Sequence, residues 1–313
     1  MRIRPEALSQ RQIIFDVDYS TGMRSMRVTD FASGNSKSMY QTEFWEVECA
    51  MNIWIVLAVS LAAALVGFHN YIRFFSVGYG LAIAVIGAAL AIGFRGSINL
   101  PELLVCILLI VYGLRLAGYL LIREIKSPAY RKLLNPEIER SKRMPVGVKI
   151  ALWLVCGLLY CLMTSPIYFR LNNGAPADFM LWTGFAVMVC GVILESIADL
   201  QKTAAKKKNS HRFVDTGLFR IVRCPNYLGE LLIWTGMLLT GTTAMKGILQ
   251  WALALSGYVL IVWVMFSGAR RLEIRQDKNY GNDPEYQRYV RTVPVILPLV
   301  PLYSVKKYKF LVA

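Results

Sequence analysis

The sequence predicts an all-α, polytopic membrane protein: a bundle of about seven transmembrane helices. Three observations carry that reading. Of 313 residues, 56% are hydrophobic and only 18% are charged, with a mean hydropathy of +0.45, whereas soluble domains carry about a quarter charged residues. The apolar residues fall in runs of roughly 20, the length needed to cross the hydrocarbon. The formal net charge is +15, and the basic residues gather between and after those runs. That distribution suits the positive-inside rule and anionic membrane lipids, not nucleic acid.

Taken in order, residues 1–45 are polar and lack a clean period, and are expected to be a flexible tail ahead of one membrane-embedded domain over 46–313. No short apolar run with a small-residue cleavage site opens the chain. The expected spans are Met51–Tyr71, Phe74–Phe94, Leu100–Ile122, Val146–Pro166, Asp178–Leu200, Tyr227–Met245 and Gly247–Ala269. The stretch from Arg270 onward is too charged to span, although its VPVILPLVPLY run can dip into the interface. The loop after the third span carries Arg123 to Lys149, and the loop after the fifth carries Lys202 to Arg223. With the basic stretch after the seventh span, these share one side, expected to be the cytoplasm. Glu43, Glu46 and Glu48, ahead of the first span, fit the opposite side.

Cys49, Cys106, Cys156, Cys161, Cys190 and Cys224 show no metal-ligand spacing and read as small buried hydrophobes. With His69 and His211 as the only imidazoles, a His-rich metal site is excluded.

Four polar clusters lie at or inside apolar runs, where ionisable groups face a bundle interior or a watery cavity. In VYGLRLAGYLLIREIK, Tyr112 and Arg115 share a helix face. Arg115 either snorkels or binds an anion in a cavity, and Tyr112 by itself also reads as an ordinary packing or interfacial tyrosine. In LESIADLQKTAAKK, Glu195 and Asp199 stand at i and i+4, against the helix macrodipole. They either pair with Lys202 or Lys206, or accept hydrogen bonds from ribose hydroxyls or an amide. In TGLFRIVRCPNYLGE, Gly217 permits a tight turn, Pro225 can start a helix, and Asn226 and Glu230 share a face. Arg220 and Arg223 then flank a helix N-terminus, a favourable place for phosphate. ARRLEIRQDKNYGNDPEYQRY reads as a charged amphipathic helix on the cytoplasmic side.

Together these segments resemble the steroid 5-alpha-reductase family, especially its bacterial DUF1295-like branch, and more distantly the sterol C=C reductases. The resemblance covers roughly residues 100–300 and is most specific in ESIADLQK, GLFRIVRCPNYLGE and YGLRLAGYLL. It implies NADPH in a cavity open to the cytoplasm, with the cofactor half at about 178–300. A lipophilic small-molecule substrate, steroid-like or isoprenoid-like, would enter from the bilayer. Tyr112 matches the tyrosine that donates to the substrate carbonyl. Arg115 and Lys126 match positions that hold cofactor phosphates. Glu195, Asp199 and Lys206 match groups lining the cofactor; Asn226, Tyr227 and Glu230 match the nicotinamide end, beside Arg223. Arg271 and Tyr280 match the residues that complete the pocket, with Arg270 as an alternative one position away.

Two departures matter. Cys224 stands where many bacterial relatives have His. Steroid-reducing members also pair the carbonyl-binding tyrosine with a glutamate on an early span, and no Glu occurs between Cys49 and Pro101. That argues against a 3-oxo-steroid and leaves other enones open. The implied activity is reduction of a C=C bond conjugated to a carbonyl. The rival is an S-adenosylmethionine-dependent membrane methyltransferase of the isoprenylcysteine carboxyl or phospholipid type, which shares an Arg-x-Pro-x-Tyr-x-Gly pattern but has a Glu pair where this chain has Glu273 alone. A transporter would call for a repeat or a helix broken at the midplane, and the sequence has neither.

Overall fold

The computed structural model describes residues 11–18, 23–30 and 51–312, and the chain divides into units Met1–Glu48 and Cys49–Ala313. In the first unit β1 (Arg11–Asp18) pairs antiparallel with β2 (Met23–Asp30), Ile14 opposite Arg27. The tail expected over residues 1–45 otherwise lies outside the described residues. Where it is described it is a two-stranded antiparallel pair, and Ile13, Ile14 and Val17 are β-branched residues that favour strands.

The described residues of the second unit are helical. They form α1 (Ile53–Ala64), α2 (Val77–Gly93), α3 (Leu100–Lys126), α4 (Pro128–Arg143), α5 (Val146–Asn172), α6 (Phe179–Lys208), α7 (Pro225–Gly241), α8 (Gly247–Tyr280) and α9 (Pro284–Thr292), with short 3-10 turns at Leu65–Phe68, Tyr71–Phe75 and Gly217–Arg220. Each expected span has its helix, and α3, α5, α6 and α8 are long and apolar enough to cross a membrane. The other three are shorter than the spans expected, with 12 residues in α1 and 17 in each of α2 and α7. One of the expected loops holds a helix instead. The third span continues to Lys126 and is followed by α4, while α6 and α8 run on to Lys208 and Tyr280. Charge ends an apolar run without ending a helix, and basic side chains in a last turn complement the macrodipole. Helix α4 is tied down by the Tyr71 hydroxyl, which donates to Glu137, and by Ser141 Oγ, which accepts from the Tyr71 amide at 3.1 Å.

The starts are locally encoded. Asn99 and Glu102 form a reciprocal capping box on α3, with Pro101 in the first turn. Asp178 accepts from the Leu181 amide at the start of α6, and Pro225 opens α7. Gly217, at φ 62°, makes the turn before α7.

Each long helix is two-faced. On α3, Ile107, Val111, Leu114 and Ile125 are exposed, while Cys106, Leu109, Tyr112 and Leu116 are buried. Exposed apolar stripes of that kind have lipid as their solvent, and the inward face is free to carry polar groups.

Two glycine contacts set the interior. Helices α2 and α3 approach so closely at Gly80 that a Cβ there would lie 2.6 Å from the Gly113 carbonyl. Helices α6 and α7 meet likewise: a Cβ on Gly191 would lie 2.6 Å from the Gly229 carbonyl, and one on Gly229 would lie 2.8 Å from the Glu195 backbone nitrogen. Small residues let membrane helices touch backbone to backbone. Tyr79 precedes Gly80 and Tyr112 precedes Gly113, so the first contact brings two tyrosines together. The second sets Glu195 beside the Gly229–Glu230 turn.

Candidate functional site

A line of hydroxyls runs through the middle of the bundle. Tyr112, 1% exposed, has its hydroxyl 3.3 Å from that of Tyr79 on α2. Tyr79 donates to Glu230 Oε1 at 2.8 Å and accepts from the Trp234 indole N–H at 2.9 Å. The tyrosine–tyrosine distance is longer than the usual 2.7–2.8 Å or so for hydroxyl pairs, so the Tyr112 proton is loosely held. Tyr79 and Trp234 were missed by the sequence reading. The signal for Tyr79 was a tyrosine between two glycines in an apolar span; Trp234 gave none beyond one helical turn from Glu230.

One turn along α3, Arg115 reaches α6. Its Nη1 donates to Glu195 Oε1 at 2.7 Å and its Nη2 to Asp199 Oδ2 at 2.6 Å. Arg115 therefore neither snorkels nor offers a free fork to an anion, and its carboxylate partners are not taken by Lys202 or Lys206. Two acids face one guanidinium, so the triad carries a net negative charge when all three are ionised.

The start of α7 is held from the segment beyond α9. Arg223, 4% exposed, pairs with Glu273 at 3.2 Å and donates to the Tyr303 carbonyl at 2.5 Å. Glu273 spends its other oxygen on the Val305 amide at 2.9 Å. Arg223 was expected beside phosphate, and it is buried and paired instead because the chain after α9 folds back over it. Burial pushes the neighbouring Cys224 thiol up to about 11, so it is a neutral thiol at physiological pH. Tyr227 stacks its hydroxyl against Gly268 of α8, where a Cβ would lie 3.1 Å away. Lys206 Nζ donates to the Tyr280 hydroxyl at 3.0 Å and to the Ser210 and Arg212 carbonyls at 3.2 and 2.5 Å. Lys126 and Arg271 are exposed, and among the described residues neither has an ion-pair partner. Arg270 donates to the Lys306 and Leu311 carbonyls.

Tyr112, Arg115, Glu195, Asp199 and Glu230 thus converge from α3, α6 and α7, while Lys206, Arg223 and Tyr280 join neighbouring networks and Lys126 stands apart. Buried side-chain atoms without a partner among the described residues are Glu195 Oε2, Asn226 Oδ1, Arg223 Nε and Arg73 Nε. The first three belong to this end of α6 and α7. An unmet buried polar atom costs about 1–3 kcal/mol, so two acceptors and a donor left open in one region have the character of a ligand site.

A protein of Schizosaccharomyces pombe named "Uncharacterized protein C594.04c" is 31% identical over 137 residues. That match covers 36% of this chain and 38% of the yeast protein, so the chain spans well under half the length of that relative. A broader match runs over residues 72–293, from the turn before α2 to the end of α9, and includes every residue of the converging cluster. On that match the chain belongs to the family described as "Protein of unknown function (DUF1295)".

Proposed function

We propose that the protein is an integral-membrane NADPH-dependent reductase, similar to the steroid 5-alpha-reductase family, acting on a C=C bond conjugated to a carbonyl in a lipophilic substrate. The observation that carries this reading is the buried Tyr112–Tyr79–Glu230 line beside open acceptors on Glu195 and Asn226.

The chemistry follows from where each proton sits. Tyr79 gives its proton to Glu230 and receives one from Trp234. Its oxygen therefore has room for Tyr112 as a donor, and Tyr112 can turn the same proton to a substrate carbonyl. Charge develops on that carbonyl oxygen as the double bond is reduced, and a donor fixed in a dry site stabilises it more than water does. Glu230 keeps the Tyr79 proton pointed away, so the two hydroxyls do not compete.

The residues present fit a dinucleotide. The open acceptors Glu195 Oε2 and Asn226 Oδ1 would each take an N–H donor, the kind of group a carboxamide carries. Arg271, one turn beyond Gly268 and hence near Tyr227, is a cation available for phosphate. Arg115 is a positioning residue in this reading, holding Glu195 in place. The NADPH, when bound, supplies the hydride. Met163, Pro166, Leu238, Ala254, Tyr258 and Ile261 pack against Trp234 as a closed apolar seam, so the surroundings of the hydroxyl line are lipophilic. The basic side of the bundle is taken as cytoplasmic.

The methyltransferase alternative relies on Glu273, and both oxygens of Glu273 are already engaged. Thermal-shift titration of the purified protein with NADPH, NADH and S-adenosylmethionine tests the assignment. Stabilisation by the nicotinamide cofactors is expected; stabilisation by S-adenosylmethionine alone would overturn it.

A further inference from the structure

The segment after α9 is neither a span nor a loose tail. Its first half is pinned to the start of α7, where the Arg223 and Cys224 amides donate to the Pro294 and Val295 carbonyls, both at 2.9 Å. The Val295 amide donates to the Leu302 carbonyl at 2.9 Å, closing a loop with Leu299 near its tip. The second half runs back along α8: Arg270 holds the Lys306 carbonyl at 3.1 Å, Trp263 holds the Phe310 carbonyl at 3.3 Å, and Ser267 accepts from the Val312 amide at 3.2 Å. Trp263 and Ser267 lie in the apolar part of α8, so this half of the segment returns to the level of the bilayer.

Its outward side chains are the wrong kind for water. Leu299 is 101% exposed and adopts φ 69°, an uncommon backbone state for a branched residue. Val300, Tyr303, Phe310 and Val312 are also exposed. Among them stand the exposed Lys307 and Lys309, the former with its ammonium 5.1 Å from the Tyr308 ring centre. Lys306 is spent on Asp277. Exposed apolar side chains, aromatic residues and lysines within one short segment are the composition of a stretch lying at the boundary between acyl chains and headgroups.

We propose that residues 293–312 form an interfacial anchor for the leaflet at which α7 begins. Leu299, Val300, Phe310 and Val312 enter the acyl boundary, and Lys307 and Lys309 reach anionic headgroups of the same leaflet. Charge complementarity and continuity with the lipid-facing part of α8 favour the bilayer over a protein partner. The consequence reaches inward. The same segment supplies the Tyr303 carbonyl to Arg223 and the Val305 amide to Glu273, so the membrane steadies the strap that holds the start of α7.

The test uses the full chain in vesicles, with Cys49 and Cys190 replaced by serine and a nitroxide attached through Leu299→Cys, Phe310→Cys or, as an aqueous control, Asn282→Cys. At Leu299 and Phe310 the label is expected to collide more with dissolved oxygen than with a water-soluble nickel chelate, and the order should reverse at Asn282. Nickel access equal to that of Asn282 at either position would overturn the proposal. Separately, Lys307→Gln combined with Lys309→Gln should reduce the gain in Tm when phosphatidylglycerol replaces phosphatidylcholine. An undiminished gain would exclude the headgroup contact.

Discussion

Arg170 and Arg115 both reach inward from their helices, and they are used differently. Arg170, near the end of α5, is fully buried and every one of its nitrogens is engaged. Its Nε donates to the Thr240 carbonyl at 2.6 Å, its Nη1 to the Pro176 carbonyl at 2.6 Å, and its Nη2 to Asp178 and Thr243 at 2.7 and 2.6 Å. One guanidinium thereby ties α5, the start of α6 and the end of α7. About 25 Å further along α6, by helical rise, Arg115 holds two carboxylates and leaves one oxygen of Glu195 open, near further open atoms on Asn226 and Arg223. Saturated valence marks a joint; unsaturated valence in a buried site marks a place for something else. The same residue type thus closes a joint at one end of the bundle and, in the proposed reading, positions a carboxylate with an open oxygen at the other.

Removing a saturated partner should be most costly. Arg170→Met removes the donor to the Thr240 and Pro176 carbonyls and the cation facing Asp178, and a loss of roughly 2–4 kcal/mol is expected from unmet polar groups and a broken joint. Size-exclusion profiles and Tm in detergent would read it, and wild-type stability would mean that Arg170 is no joint. At the other end the effect should fall on turnover. Tyr112→Phe is expected to lower kcat by about 10²–10³-fold with the fold and NADPH binding retained; unchanged kcat would remove Tyr112 from the chemistry. Gly229→Ala pushes a methyl into the Glu195 backbone, at roughly 1–3 kcal/mol for overpacking. Both Tm and activity should drop, whereas a drop in neither would show that the α6–α7 contact has slack.

The smallest stability effects sharpen the contrast. Asn226→Ala deletes an oxygen that has no partner, so Tm without cofactor should move little while NADPH affinity weakens. A clear loss of Tm without any loss of affinity would assign Asn226 to structure. Lys126→Ala, at an exposed end of α3, should change stability by no more than about 0.5 kcal/mol. A large loss on thermal unfolding would mean that Lys126 has a partner.

The residues that converge are mostly ones whose presence in an apolar run was conspicuous. Tyr112, Arg115, Glu195, Asp199 and Glu230 stood out because lipid tolerates them only on an inward face. Their partners were another matter. Nothing local links Arg115 to Glu195, or Arg223 to Glu273, because the pairings cross between helices far apart in sequence. Tyr79 looked like an ordinary apolar-run tyrosine until Gly80 and Gly113 brought it to Tyr112. Arg170 sat at the edge of an expected span, where a snorkelling side chain is unremarkable. Helix α4 was hidden by its charge, since hydropathy reports what lipid accepts and not where the backbone hydrogen bonds stop.

Composition and periodicity by themselves determined that this chain builds a helical bundle in a membrane. Each span must satisfy its own backbone in a solvent without hydrogen bonds, and that requirement is local. Local too were the caps at Asn99 and Asp178 and the proline start of α7. The tertiary structure alone decided which cation meets which acid, which polar atoms are left unmatched, and how the segment after α9 closes over Arg223. Those outcomes depend on backbone-to-backbone approach at a few glycines, a long-range property that no stretch of sequence contains.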